Sequence, residues 1–225
     1  MTPALSFESY TLPDFGIFNS ELEFDSYVWQ PDGTYIVLGR ANDSESSVYT
    51  ELAKRDDIKI YKRPSGGESV ILTQNMIVFS MKINIIKLKK PRYIFDIINK
   101  HLINSLKKIG IENLNSRGIS DISIFDKKIL GSAMYLKNNI LFYHAVLNVK
   151  EDVSLISKYL KHPGREPDYR EGRNHNDFVT SLAADGYNIE TPLIIDAIRD
   201  AIYNIRKEIN LNKFHIFDSD LFNQK

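Results

Sequence analysis

The 225-residue chain contains no cysteine. Disulfides, thiolate metal sites and a cysteine nucleophile are therefore excluded, and the composition suits a reducing compartment. An excess of either charge is equally lacking, because Lys plus Arg and Asp plus Glu both number 29. A formal net charge of zero argues against nucleic-acid binding through a broadly basic surface. It leaves only local patches, such as IIKLKKPR at 85–92. No apolar run approaches the roughly 18 residues needed to span a membrane. The opening MTPALSFESYTLPDF offers neither the basic n-region nor the apolar h-region of a secretory signal. The expectation is a soluble, cytoplasmic protein with neither nucleic acid nor membrane as partner. Chemical signatures are missing too. There is no GxxxxGK[ST] phosphate loop and no G-x-S-x-G elbow. The five histidines (His101, His144, His162, His175, His215) show no HxxxH or HExxH spacing, so no metal ligands are assigned.

What is present reads as an ordinary globular core, with 43% hydrophobic residues. One domain is expected over 1–225, with residues 1–30 packing as an arm or short helix. Strands are predicted at Thr34–Gly39, Ile58–Arg63 and Met76–Ile86, and then as three short pieces: Ile122–Phe125, Lys128–Leu130 and Ala133–Leu136. Asn138-Asn139 signals a turn into a long strand, ILFYHAVLNV. Pro91 opens the clearest helix, with Ile94, Phe95, Ile98, Leu102 and Leu106 on one stripe and Gly110 beyond its end. SSVYTELAK, N-capped by Asp43 or Ser44, Asp152–Leu160 and Asp177–Ala184 are further helical stretches. Thr191–Ile209 is amphipathic, with Ile194, Ile195, Ile198, Ile202 and Ile205 aligned. Strands interspersed with a few helices predict an α+β fold with a largely antiparallel or mixed sheet.

Four segments stand out for chemistry. In Arg63-Pro64-Ser65-Gly66-Gly67 the adjacent glycines suit either a hairpin turn or a nest of backbone N–H groups that receives an anion. In Asp121–Ala133, Lys127 and Lys128 would point to opposite faces of a strand, and an inward lysine needs an anionic partner. His144, inside an apolar strand, is either a hydrogen-bonded core residue or a catalyst. The segment at 163–175, PGREPDYREGRNH, is either a loop pinned by Arg–carboxylate pairs or a clamp for phosphates or an acidic partner.

The order and spacing of these segments are more specific than any one of them. Gly39-Arg40-Ala41-Asn42, the Arg-Pro-Ser-Gly-Gly turn, Asp121, Lys-Lys-Ile-x-Gly-Ser-Ala and the His144 strand together resemble the lipoate-protein ligase A/B family, over roughly residues 34–205. That family shares its catalytic fold with biotin-protein ligases. The REPDYREGRNH stretch is similar to a short, single-domain subgroup, for which no C-terminal accessory domain would be expected on this chain. The resemblance implies that lipoate or octanoate reacts with ATP to give an acyl-adenylate and pyrophosphate. The acyl group then passes to a lysine of a lipoyl domain, in a 2-oxoacid dehydrogenase E2 or glycine-cleavage H protein. It implies Lys128 as the catalytic residue. Arg63, Ser65, Gly66, Gly67, Gly131, Ser132, Ala133 and His144 would line the acyl and adenylate site, while Asp121, Arg170, Arg173 and His175 are further candidates. ATP, Mg²⁺ and lipoic acid are the expected cofactors and substrate, and a separate accessory protein is a possible partner. The chain carries Glu68, Tyr143 and Ala145 where many members have Gly, His and Gly.

The missing cysteine excludes the thioester route of octanoyltransferases and leaves three readings. These are an ATP-dependent ligase, a non-cysteine transferase moving lipoyl or octanoyl groups between carriers, and a non-catalytic protein that binds lipoyl domains or acyl ligands.

Overall fold

Three apolar clusters organise the chain into layers, as seen in the computed structural model, which describes residues 8–85 and 91–218. In chain order the strands are β1 (Glu8–Ser9), β2 (Phe24–Trp29), β3 (Tyr35–Leu38), β4 (Lys59–Lys62), β5 (Val70–Leu72), β6 (Met76–Asn84), β7 (Leu114–Arg117), β8 (Asp121–Ile124), β9 (Lys127–Lys137) and β10 (Ile140–Asn148). The α-helices are α1 (Ser44–Ser47), α2 (Thr50–Arg55), α3 (Pro91–Lys108), α4 (Val153–Tyr159), α5 (His175–Phe178) and α6 (Thr191–Asp218), with 3-10 turns at Pro13–Asn19 and Asp168–Arg170. The larger sheet runs β2-β6-β10-β9-β8-β7 and is antiparallel throughout. The smaller, β1-β4-β3-β5, is mixed: β4 pairs parallel with β1 and β3, and β3 pairs antiparallel with β5.

One face of the larger sheet packs against α3 and α6. Ile94, Ile98, Leu102 and Leu106 of α3 meet Ile194, Ile198, Ile202 and Ile205 of α6 there, all buried. Each such side chain stabilises the fold by about 1.5–3 kcal/mol on burial, so the helical stripes read from spacing become the main core. The other face looks toward the smaller sheet through Val78 and Val146, opposite Val37, Tyr61 and Leu72. The smaller sheet's outer face (Ile36, Leu38, Ile60, Ile71) is covered by residues of α2 and α4, among them Ala53, Ile156 and Tyr159.

Several boundaries differ from the sequence reading, each for a physical reason. Residues 24–29, expected in an arm or short helix, form β2 on the edge of the larger sheet against β6. The helix expected through SSVYTELAK is interrupted: Val48 adopts an extended conformation and bridges to Leu160. The strands expected at 128–130 and 133–136 are one strand, β9, because Gly131 and Ser132 pair with Val146 and Ala145 of β10 without a break. The helix expected at 177–184 is instead α5, capped by Asn174, followed by Val179 in extended conformation. β7 went unpredicted, its burial pattern offering one buried residue followed by three exposed. The turn at Asn138-Asn139 is as expected, with φ of 49° and 63° at the two asparagines. Ile86 and most of the IIKLKKPR run lie outside the described residues.

Candidate active site

A cavity of about 230 Å³ opens between the two sheets. Its floor is set by strand register. His144 lies directly opposite Ser80 on β6 and Ala133 on β9, and Val146 lies opposite Val78 and Gly131. Residues at alternate positions share a face, so these six present one surface to the cavity side. Tyr143 points the other way, into the helix-side core, with its ring 6.1 Å from Phe79 and 6.0 Å from Phe95. Tyr143 therefore belongs to the core and not to the cavity.

The Gly-Gly turn forms one wall. Arg63 is buried, and its guanidinium is spent inside the turn. Nε donates to Ser65 Oγ (3.0 Å), Nη1 to the Val37 carbonyl (3.2 Å), and Nη2 to the carbonyls of Gly66 (2.9 Å) and Glu68 (2.8 Å). Among the described residues no carboxylate lies within ion-pairing distance of it, and burial pulls its pKa down to about 10. Ser65 is fully buried, and its Oγ lies 2.7 Å from His144 Nε2. Ser65 Oγ thus accepts from Arg63 and shares a hydrogen bond with His144 Nε2. Burial, followed by the Arg63 charge, depresses His144 to about 3. A base that weak cannot activate a serine, and a serine with no exposure cannot reach a substrate. Ser65-His144 is a structural link between turn and sheet, not a nucleophilic pair.

Two glycines have distinct reasons to be glycine. Gly67 has φ of +87°. A Cβ on Gly39 would lie 1.9 Å from the Gly67 carbonyl oxygen, so Gly39 gives the turn its room. Gly66 has neither constraint in this arrangement. Asn42 holds the same corner: its Oδ1 accepts from Gly39 N–H (2.9 Å) and its Nδ2 donates to Glu68 Oε2 (3.2 Å). The Glu68 carboxylate, beside the Gly-Gly turn, is thus tied back to the Gly39–Asn42 turn.

Lys128 owes its direction to a β-bulge. Ile122 pairs with Leu130 but Ser123 pairs with Lys128, so β9 carries one extra residue there. Consecutive Ile129 and Leu130 both enter the core, which plain alternation forbids. The same slip puts Lys128 over Gly131: a Cβ at that glycine would stand 2.7 Å from Lys128 Cε and 2.8 Å from Nζ. Lys127 is exposed and Lys128 half-buried, as the alternation of the pair predicted. Lys128 Nζ bonds Asp121 Oδ1 at 2.9 Å, and Asp121 is buried behind the cavity.

The 163–175 segment closes the cationic end. Lys161, Arg165, Arg170 and His175 line the cavity with Lys128, against Glu68 as an acidic lining residue. Arg170 is 4% exposed. Its Nε donates to the Arg173 carbonyl (2.8 Å) and lies 3.4 Å from Glu166 Oε2, its guanidinium lies over Phe178 (4.8 Å), and Nη2 has no hydrogen-bond partner among the described residues. A buried, unmet guanidinium N–H is costly, and burial lowers the Arg170 pKa. His175, its pKa lowered by burial, donates from Nε2 to the Lys161 carbonyl (3.1 Å). Arg173 turns outward to Asp126 (2.8 Å).

Of the residues singled out from sequence, Arg63, Gly67, Lys128, Gly131, Ser132, Ala133, His144, Arg170 and His175 line the cavity. Ser65 and Asp121 support it from behind through His144 and Lys128, while Gly66 and Arg173 are outside the lining. The apolar walls (Val37, Leu72, Val78, Val146) and Tyr10 were not foreseen. Val78 and Val146 are two positions from Ser80 and His144, so strand alternation was the available signal. Tyr10 had none. Its hydroxyl donates to Asp14 (2.8 Å), a fully buried carboxylate that also accepts from Ser80 (2.6 Å) and whose pKa is raised by burial. Among the described residues no group of three His, Cys, Asp or Glu side chains converges to hold a metal, and no helix is long and apolar enough to cross a membrane.

The family model for the lipoyl protein ligase A/B catalytic domain matches residues 7–203. The chain is 28% identical over 134 residues to a probable lipoate-protein ligase A of Mycoplasma pneumoniae, covering 60% of this chain and 39% of that relative. Among solved structures it is similar to one from an archaeal lipoylation system of Thermoplasma acidophilum, described as a bi-partite lipoate protein ligase and its E2 lipoyl domain. The TM-score is 0.74 at 19% identity, over 86% of this chain and 76% of that one. A lipoate-protein ligase A bound with ATP gives 0.73 at 19% identity, over 86% and 78%. A putative lipoate protein ligase of T. acidophilum with bound lipoic acid gives 0.71 at 18%, over 86% and 78%. These likenesses show the fold, an α+β arrangement of mixed and antiparallel sheets.

Proposed function

The chain belongs to the lipoyl protein ligase A/B catalytic-domain family, and from that premise we propose that it activates lipoate or octanoate with ATP and transfers the acyl group to a lipoyl-domain lysine. A carboxylate oxygen of the acid attacks the α-phosphorus, the bond to the bridging oxygen breaks, and pyrophosphate leaves. The lysine amine of the carrier then attacks the acyl carbonyl and AMP leaves.

One juxtaposition carries this reading: a cavity with valine and leucine walls ends in Lys128 and the unpartnered Arg170 N–H. The apolar walls suit a thin acyl chain and exclude water. The saturated Arg63 turn supplies a rigid side without competing for the ligand's charge. At the cationic end, Lys128 meets the charge that builds on the carbonyl oxygen and α-phosphate, an effect much stronger in a dry site than in water. Arg170 and Lys161 face the anionic leaving group. Asp121 is already engaged by Lys128, and the described residues offer no ready-made cage for Mg²⁺; the ion would arrive on the nucleotide's phosphates, as Mg²⁺ commonly does.

Incubation with ATP, Mg²⁺, lipoate and an apo lipoyl domain, followed by intact mass of the domain, tests the proposal. Acyl addition that requires ATP is expected. Transfer from an acylated donor without ATP would replace the ligase with a carrier-to-carrier transferase. Binding of the domain with no addition in any mixture would leave a non-catalytic binding protein. Since the similar archaeal system is described as bi-partite, addition only with a second polypeptide present would make this chain the catalytic half of a split enzyme.

A further inference from the structure

The loop that delivers Arg170 to the cavity also reaches Lys128 from behind. Tyr169 donates its hydroxyl to Asp121 Oδ2 (2.9 Å), while Asp121 Oδ1 takes Lys128 Nζ (2.9 Å). One buried carboxylate is therefore held at both oxygens, by the phenol on one side and the ammonium on the other. Held at one oxygen only, an aspartate rotates about its terminal torsion, which is broad. Held at both, it offers Lys128 a single direction.

The phenol is itself built in. Its ring packs 5.0 Å from the Phe178 ring on one side. On the other is the β7–β8 turn, where Gly118 has φ of +58° and a Cβ would lie 3.6 Å from Tyr169 Cε1 and 3.3 Å from Pro167 Cβ. The Tyr169 carbonyl accepts from Arg173 Nη2 (2.6 Å), and Arg173 is anchored on Asp126. Burial and the Asp121 charge push the phenol pKa up, keeping it a neutral donor. The same segment returns to the backbone of Lys128, whose carbonyl accepts from Thr180 N–H (2.9 Å).

We infer that Tyr169 is a positioning residue for Lys128, acting through Asp121, and that it ties the placement of Lys128 to the loop carrying Arg170. The inference rests on the proposed role of Lys128 for its bearing on turnover, but not for the geometry it asserts.

Tyr169→Phe keeps the ring between Gly118 and Phe178 and removes only the donor. Lysine acylation by acetic anhydride, followed by peptide mass spectrometry, reads Lys128 directly, with exposed Lys127 as the internal standard. Tyr169→Phe is expected to raise the Lys128 labelling rate severalfold, leave Lys127 unchanged and shift the melting temperature little. In the lipoylation assay it is expected to lower kcat about 10-fold, the scale of a lost hydrogen bond to a charged group, with KM for lipoate within about twofold. In an Asp121→Asn background it should add no further loss, since the path it acts through is already gone. Unchanged Lys128 labelling overturns the inference whatever happens to turnover, and so does a kcat loss that adds in full to that of Asp121→Asn. Because labelling needs no catalysis, an inactive wild-type protein whose Lys128 labelling still responds to Tyr169→Phe would refute the ligase reading alone.

Discussion

The two ends of the cavity are built on opposite principles. At the Gly-Gly end the charged groups have found partners, and only the Ser69 hydroxyl is left without one among the described residues: Arg63 bonds three carbonyls and Ser65, Ser65 bonds His144, and Asn42 ties Glu68 to the Gly39 turn. At the Lys128 end partners are shared or missing. Lys128 has one carboxylate, itself divided with Tyr169, and Arg170, whose Nε lies 3.4 Å from Glu166 Oε2, has no hydrogen-bond partner at Nη2 among the described residues. A saturated wall is rigid and indifferent to ligand charge. An unsaturated one is poised for an anion, because the ligand would supply what the fold withholds. Under the proposed function, the contrast supports placing the acyl chain at the first end and the phosphates at the second.

The comparison can be broken most decisively at Lys128. Lys128→Ala is expected to lower acyl transfer about 10²–10³-fold, the cost of losing one preorganised electrostatic group, with lipoyl-domain binding retained in a pull-down. Next in size is Arg170→Gln, which should raise KM for ATP about 10-fold or more, on the scale of a charge-assisted hydrogen bond, while lipoate affinity by calorimetry stays level. An equal loss of lipoate affinity would erase the division between the ends. Gly39→Ala attacks the saturated end. Its Cβ has no room beside the Gly67 carbonyl, so denaturant unfolding should show a loss of about 1–3 kcal/mol, together with weaker lipoate binding.

A further test concerns pH, and it reads stability and not turnover. His144 has a folded pKa of about 3, below the ordinary value of 6.5. Between those values the unfolded chain binds a proton that the folded one refuses, so this contribution is complete above about 6.5 and is lost as pH falls toward 3. His144→Gln should flatten the acid limb of stability against pH by up to about 1.4 kcal/mol per pH unit. An unchanged slope would mean that His144 is not held neutral.

How much of this was legible in the residues varied by element. The stripes of α3 and α6 followed from spacing, because helix burial repeats every 3.6 residues. The Asn138-Asn139 hairpin followed from residues that tolerate positive φ. α5 and the break at Val48 did not, since each depends on a bridge to a distant strand or loop, Val48 to Leu160 and Lys128 to Val179. The same divide runs through the site. Lys128, the Gly-Gly turn and His144 were singled out by motif and resemblance, whereas Tyr10 comes from a segment with no chemical signature, and Tyr169, inside the arginine-rich segment, gave no sign of its reach to Asp121.

The sequence by itself determined the chemistry available: no thiol, one lysine pair before a run of small residues, a glycine turn after an arginine, and an arginine-rich loop. It also determined which family pattern the chain follows. Only the tertiary structure decided where those groups point. Arg63 is turned into its own loop by the carbonyls around it, and Lys128 is aimed over Gly131 by a one-residue bulge that reverses strand parity. Arg170 keeps only its Nη2 unmet among the described residues, its Nε shared between Glu166 and the Arg173 carbonyl, while Arg173, three residues on, is claimed by Asp126. The physical reason is common to all three. A charged side chain goes where its desolvation is compensated, and that is settled by partners dozens of residues away in the chain.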